Sequence, residues 1–128
     1  DDLRLIAGKE AKEDPNKIHL KELQVISGKS VIPVATVTLE INGELLKATA
    51  EGNGPIDAAF TAVKMIVKRK ARLEEFLIQA ITRGSDDLGK VHVQVENKGV
   101  LYYGFSGSTD IITASVEAYV DALSQIIT

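Results

Sequence analysis

The chain has 128 residues, of which 45% are hydrophobic and 26% are charged. This composition is typical of one folded domain and excludes a wholly disordered chain. Fifteen basic and eighteen acidic residues give a net charge of −3, which argues against a general electrostatic attraction to nucleic acid or to an anionic membrane. The absence of cysteine excludes disulfides, a thiol nucleophile and thiolate-bound metal, and it fits a reducing cytoplasm. A (β/α)8 barrel, which needs on the order of 200 residues, is also excluded.

The first segment of the chain predicts a linker. A short apolar cluster precedes Gly8, and Asp14-Pro15-Asn16 then prevents a helix from continuing into the next element. We interpret residues 1–17 as the end of an upstream element followed by a linker. Residues 18–128 then form one domain of two halves, about 18–70 and 71–128.

The first half predicts three strands and a helix. Ile18–Ser27 is a mixed strand, and residues 35–41 alternate between apolar and polar side chains, as in a half-buried strand. Asn42-Gly43 predicts a type I′ turn, because both central residues of that turn need a positive φ. A third alternating strand follows. After residues 52–54 the apolar period changes to 3.6, which predicts a helix with Pro55 at its first position.

The second half repeats this order of elements. It predicts a strand within Arg72–Thr82, a loop over Gly84–Gly89, a strand containing three alternating valines, a turn at residues 97–99, a third strand over Val100–Phe105 and a final helix. Similar features recur 55 positions apart, as at Asn42 and Asn97. We therefore predict an α+β fold with an internal duplication of a βββα unit. Two antiparallel three-stranded sheets would each carry a helix, and a pseudo-two-fold axis would relate the two units. The units would bury their remaining apolar surfaces against each other or against a second chain.

No arrangement of side chains predicts catalysis or a metal site. The two histidines, His19 and His92, lie on predicted strands without metal-ligand spacing. Residues 104–108 approach a nucleophile elbow, but a serine replaces the last glycine and no triad is visible. Two glycine-containing loops remain, each opening onto the N-terminus of a helix. The free N–H groups of such an end suit a small carboxylate.

Two strings in the chain resemble a known family. Residues 52–60, GNGPIDAAF, are similar to the GNGPVDAAF signature of the C-terminal regulatory domain of the 2-isopropylmalate synthase and citramalate synthase family. Residues 108–119 resemble the STDIIEASxxAY motif of the same family. The resemblance implies a homodimer that binds leucine or isoleucine and inhibits the catalytic barrel of a parent chain. It implies no cofactor in this domain, whereas the barrel would use a divalent metal and acetyl-CoA.

Combined with the residue pattern, the resemblance predicts an effector site at the first glycine-containing loop. The carboxylate of the amino acid would contact backbone N–H groups of residues 52–56, and its ammonium group would lie near Asp86 and Asp87. Its alkyl group would fill an apolar pocket. The predicted effector-binding residues are Gly52, Asn53, Gly54, Pro55, Ile56, Asp57, Phe76, Ile78, Ala80, Asp86, Asp87 and Leu88.

The sequence leaves three alternatives open. The domain is either a leucine sensor of 2-isopropylmalate synthase or an isoleucine sensor of citramalate synthase, since one methyl group changes binding by only about 1–3 kcal/mol. It is alternatively a dimerisation module that binds no effector. A free-standing small enzyme is the third alternative, and the lack of an acid–base or nucleophile arrangement argues against it.

Overall fold

The chain folds into two βββα units, as the sequence predicts. The computed structural model describes residues 18–68, 70–83 and 86–127, without the side chains of residues 80–88 and 127, so the predicted linker over residues 1–17 lies outside the described residues. The elements are β1 (Ile18–Gly28), β2 (Val31–Ile41), β3 (Glu44–Glu51), α1 (Pro55–Val67), β4 (Arg72–Arg83), β5 (Asp86–Asn97), β6 (Val100–Ser108) and α2 (Ile111–Ile127). Strands β1–β2–β3 form the first antiparallel sheet and β4–β5–β6 form the second.

The core of each unit lies between the middle strand of the sheet and its helix. In the middle of β2 and β5, every second side chain points into this core and is at most 2% exposed: Ala35, Val37, Leu39, Val91, Val93 and Val95. The helices place small residues against the sheets, which allows close packing. At Gly104 a Cβ would overlap the carbonyl oxygen of Ala118 and lie 2.7 Å from the backbone nitrogen of Ala122. Helix α2 therefore lies directly on the backbone of β6.

The two units share one core. Helix α1 packs on β2 and β3, α2 packs on β5 and β6, and the two helices contact each other. Between the units, the ring of Phe60 on α1 stacks on Tyr119 of α2 with centroids 4.4 Å apart, and it meets Phe76 of β4 edge-on at 5.6 Å. Within the described part of the chain, neither helix is long and apolar enough to cross a membrane.

The offset between the units is 56 residues from the second strand onward, so the predicted value of 55 is wrong by one. The φ angles of the first turn are 55° at Asn42 and 81° at Gly43, and those of the second are 54° at Lys98 and 80° at Gly99. Lys98 is therefore the equivalent of Asn42, and Asn97 is the last residue of β5. The prediction matched the two asparagines by identity, whereas the turns match by backbone conformation.

The predicted loop over Gly84–Gly89 is wrong for most of its length. Residues 86–89 belong to β5, and the ladder with β4 continues to Asp86, which lies opposite Arg83. The aspartates and glycines of this segment have weak strand propensity. Pairing with β4 satisfies the backbone N–H and C=O groups of the segment, and this outweighs the local preference.

Candidate effector-binding site

The loop between β3 and α1 is held by backbone contacts. The N–H group of Gly52 donates a 3.1 Å hydrogen bond to the carbonyl oxygen of Pro33. A Cβ at Gly52 would overlap the backbone nitrogen of Ala58 and lie 2.7 Å from a carboxylate oxygen of Asp57, so only glycine fits. The same carboxylate oxygen accepts the N–H group of Asn53 at 2.9 Å. Asp57 therefore fixes the loop against the first turn of the helix.

The N-terminus of α1 presents open backbone N–H groups. Gly54 is the N-cap and has no side chain to cap the helix, and Pro55 follows at the first helical position. The carbonyl oxygen of Gly54 accepts the N–H group of Ala58 at 2.9 Å. The N–H groups of Ile56 and Asp57 point out of the first turn, where a helix supplies no acceptor. No described residue accepts a hydrogen bond from either of them.

The equivalent end of α2 is closed by a carboxylate of the chain itself. Asp110 stands 56 positions after Gly54, at the N-cap of α2. One of its carboxylate oxygens accepts the N–H groups of Ile112 and Thr113 at 3.1 and 3.4 Å, and the other accepts the Thr113 hydroxyl at 2.8 Å. The hydroxyl of Thr113, together with these N–H groups, lowers the pKa of Asp110. A carboxylate of the chain thus occupies this position at α2, whereas no carboxylate among the described residues does so at α1.

An apolar wall lies next to the open end of α1. Ile56 and Phe76, both predicted site residues, are partly buried against the core. Phe60 lies one helical turn after Ile56 and contacts Phe76 edge-on, while the predicted pocket residue Ile78 is 40% exposed. The sequence did not assign Phe60 or Tyr119 to the site, because both fit the apolar stripes of their helices. The spacing of four residues between Ile56 and Phe60 was the available signal, since it places both on one helix face.

Tyr119 brings a buried hydroxyl group to this junction between the units. The residue is 2% exposed, and burial raises the pKa of its phenol to about 12. Desolvation penalises the phenolate, so the hydroxyl stays neutral at physiological pH.

Four further predicted site residues lie toward the end of β4 and at the start of β5. The backbone places Asp86, Asp87 and Leu88 at the start of β5, with Ala80 in β4 opposite Gly89. Their side chains lie outside the described part of the structure, so their contact with an effector stays a prediction. Three open clefts lie elsewhere: between β1 and α2, on the first sheet, and between β3 and α1. None of these three is lined by predicted site residues.

A family model described as the LeuA allosteric (dimerisation) domain matches residues 1–127. The chain belongs to this family. It is 49% identical over 128 residues to a 2-isopropylmalate synthase of Parabacteroides distasonis, with 99% of this chain and 25% of that protein covered. It is 40% identical over 122 residues to the 2-isopropylmalate synthase of Methanocaldococcus jannaschii, with coverage of 95% and 23%. The chain therefore spans about a quarter of the length of the curated relatives that it matches.

Membership of the LeuA allosteric domain family confirms the resemblance that the two sequence motifs carry. It supports a regulatory role, and it agrees with the duplicated βββα architecture of the two sheets. The Gly52–Phe60 string forms the β3–α1 loop and the first turns of α1, and the Ser108–Tyr119 string forms the corresponding part of the second unit. Both motifs of this LeuA domain thus build the N-termini of its helices.

Proposed function

We propose that this LeuA allosteric domain binds leucine and that the bound leucine inhibits a parent 2-isopropylmalate synthase, an enzyme that condenses acetyl-CoA with a 2-keto acid. The observation that carries the proposal is the difference between the N-termini of α1 and α2. No described residue accepts the N–H groups of Ile56 and Asp57 at α1, whereas the carboxylate of Asp110 fills the equivalent position of α2. The chain itself therefore supplies an example of a carboxylate bound in this geometry.

The proposed contacts follow from that example. The carboxylate of leucine accepts the N–H groups of Ile56 and Asp57 and interacts with the positive end of the helix dipole. A Cβ built at Gly54 meets no atom within 4 Å, so the space in front of these amides is open. The alkyl group of leucine lies against Ile56, Phe60 and Phe76. The ammonium group faces the start of β5, where the proposal retains Asp86 and Asp87 as its partners.

Leucine is favoured over isoleucine because the relatives reported above carry the name 2-isopropylmalate synthase. Leucine acts on a separate catalytic domain only if it binds one arrangement of the two domains more tightly, with a coupling free energy of typically about 1–3 kcal/mol. The proposal includes association of the domain as a homodimer, which the family description supports.

Titration calorimetry of the chain with L-leucine, L-isoleucine and L-leucinamide tests the proposed function. We expect leucine to bind more tightly than isoleucine. Leucinamide lacks the carboxylate, so it should bind at least about thirtyfold more weakly, which corresponds to the loss of about one charge-assisted hydrogen bond or more. Equal affinity for leucinamide would refute the placement of the carboxylate. Absence of binding by either amino acid would favour the pure dimerisation module, and tighter binding of isoleucine would favour the citramalate synthase alternative.

A matched pair of variants tests the apolar wall. Phe76→Ala should weaken leucine binding about tenfold or more, since the lost contacts are worth at least one or two methylene groups. Leu23 is the control, because it occupies the corresponding register position of β1, opposite Val37, while Phe76 lies opposite Val93. Leu23→Ala should lower the free energy of unfolding and leave the affinity unchanged. Unchanged affinity in folded Phe76→Ala would remove Phe76 from the site.

A further inference from the structure

The chain contains two Asn-Gly steps, Asn42-Gly43 and Asn53-Gly54. In such a step the backbone nitrogen of the glycine can attack the side-chain carbonyl carbon of the asparagine, because glycine has no Cβ to hinder the approach. The new C–N bond closes a cyclic imide, and the side-chain nitrogen leaves as ammonia with the proton of the glycine N–H group. Water then opens the imide at either carbonyl group and leaves aspartate or isoaspartate. The reaction consumes only water.

The structure restrains the first of these steps. Both asparagines are exposed, but Asn42 and Gly43 form the tight turn between β2 and β3, with φ angles of 55° and 81°. Ile41 pairs with Glu44 across this turn. To form the imide, the glycine nitrogen must rotate toward the asparagine side chain, and the backbone of a type I′ turn does not permit this rotation. The turn must therefore open before Asn42 can react.

No strand pairing restrains the second step. Asn53 lies in the loop between the end of β3 at Glu51 and the start of α1 at Pro55. Within the described part of the chain, the N–H group of Gly54 has no acceptor and the side-chain amide of Asn53 forms no hydrogen bond. A Cβ at Gly54 meets no atom within 4 Å, so nothing crowds the attacking residue. The backbone N–H group of Asn53 does donate to Asp57, but this hydrogen bond involves neither of the reacting atoms.

The position of the second step in front of α1 also favours the reaction. The glycine nitrogen attacks as its anion, and the negative charge then passes to the side-chain oxygen of Asn53. The N-terminus of a helix carries a partial positive charge, which stabilises such anions when they form beside it. The carboxylate of Asp57 opposes this effect in part, because it lies in the first turn of the same helix. Asn42 lies before the opposite end of β3, away from this helix terminus.

We infer that Asn53 is a site of spontaneous deamidation in the folded domain and that both products bind leucine more weakly. Aspartate at position 53 adds a negative charge beside the open amides of α1, where the leucine carboxylate would lie. Isoaspartate adds a methylene group to the main chain between Gly52, whose N–H group is held by Pro33, and the N-cap residue Gly54. It therefore displaces the helix end from its anchor. The inference rests on the leucine site of the proposed function and adds a modification that would release the parent enzyme from inhibition.

Peptide mapping of the folded chain after incubation in mildly alkaline buffer tests the modification. We expect deamidation to be at least about tenfold faster at Asn53 than at Asn42, because the turn must open before Asn42 reacts. In urea the two steps should react at similar rates, since the fold no longer distinguishes them. Deamidation of the folded chain that is as fast at Asn42 as at Asn53 would overturn the inference. A preference for Asn53 that persists unchanged in urea would overturn its structural origin.

Leucine titration of fresh and aged protein tests the consequence. Asn53→Asp should bind leucine about tenfold more weakly, because a like charge lies near the ligand carboxylate. Asn53→Gln, whose cyclisation needs a larger ring that forms slowly, should lose no affinity on ageing relative to its own fresh sample, whereas Asn42→Gln should age as the wild type does. Aged wild type that is deamidated at Asn53 and binds leucine as the fresh protein does would overturn the inference. Fresh protein that binds no leucine would refute the proposed function, and the peptide map would still decide whether Asn53 deamidates.

Discussion

Replacing Gly54 by aspartate should abolish leucine binding and leave the free domain folded. Gly54 has a φ of −162°, an extended conformation that any residue adopts, and a Cβ there meets nothing within 4 Å. At the equivalent position of α2, the carboxylate of Asp110 accepts two backbone N–H groups at 3.1 and 3.4 Å. An aspartate at position 54 should therefore accept the N–H groups of Ile56 and Asp57 and exclude the carboxylate of the ligand.

Gly54→Asp should raise the stability of the domain and lower its affinity for leucine. An aspartate N-cap stabilises a helix relative to glycine by a few tenths of a kcal/mol, to which the helix dipole adds a similar amount. A total of about 0.5 kcal/mol would raise Tm by about 2–4 °C. The ligand loses two charge-assisted hydrogen bonds worth at least about 1.5 kcal/mol each, so its affinity should fall by about a hundredfold or more.

The assay combines a leucine titration with a thermal unfolding curve on one preparation. Gly54→Asn should also weaken binding, because its side-chain oxygen can accept the same amides without adding charge. Gly54→Ala leaves the amides open and should weaken binding least. Folded Gly54→Asp that binds leucine with wild-type affinity would refute the placement of the site at α1. A large loss of stability in the variant would contradict the open space at Gly54.

Three further predictions concern stability. The raised pKa of Tyr119, about 12 against an ordinary value of 10.0, means that the stabilisation by its neutral phenol is complete below pH 10 and is lost as pH rises through 12. Between pH 9 and pH 12, the free energy of unfolding measured with urea should fall by about 2 kcal/mol more in the wild type than in Tyr119→Phe. Equal decreases in the two proteins would contradict the raised pKa of Tyr119. Gly104→Ala should lower the free energy of unfolding by about 1–3 kcal/mol, because its Cβ would overlap the carbonyl oxygen of Ala118; Gly107→Ala, whose Cβ has no neighbour closer than 3.7 Å, is the control that should change little. Asp110→Ala should lower the free energy of unfolding by about 1 kcal/mol, because helix α2 loses its N-cap. Because the pKa of Asp110 lies below its ordinary 3.8, this difference from the wild type should be present at pH 7 and shrink as pH falls through the lowered pKa, which unfolding curves at pH 7 and pH 2.5 would check.

Local signals predicted most of the elements. The alternation in residues 35–41 predicted β2, and the structure buries Ala35, Val37 and Leu39 completely. Asn42-Gly43 predicted a turn that has the positive φ angles of type I′. These predictions hold because strand period, turn conformation and helix capping depend on residues that are neighbours in the chain. The same dependence explains the error at residues 86–89, where the local composition favoured a loop but the distant partner strand β4 supplied the backbone hydrogen bonds.

The sequence by itself determined the order of the elements, the duplication and the position of the two helix N-termini, and its motifs determined the family. Only the tertiary structure decided that the two N-termini differ, because the equivalence of Gly54 and Asp110 depends on the 56-residue offset that the turns establish. It also decided that Phe60 joins Phe76 and Tyr119 between the units, since that contact depends on how the two sheets pack. Residues far apart in the chain meet through packing, and no local pattern of hydrophobic residues specifies which of them will touch.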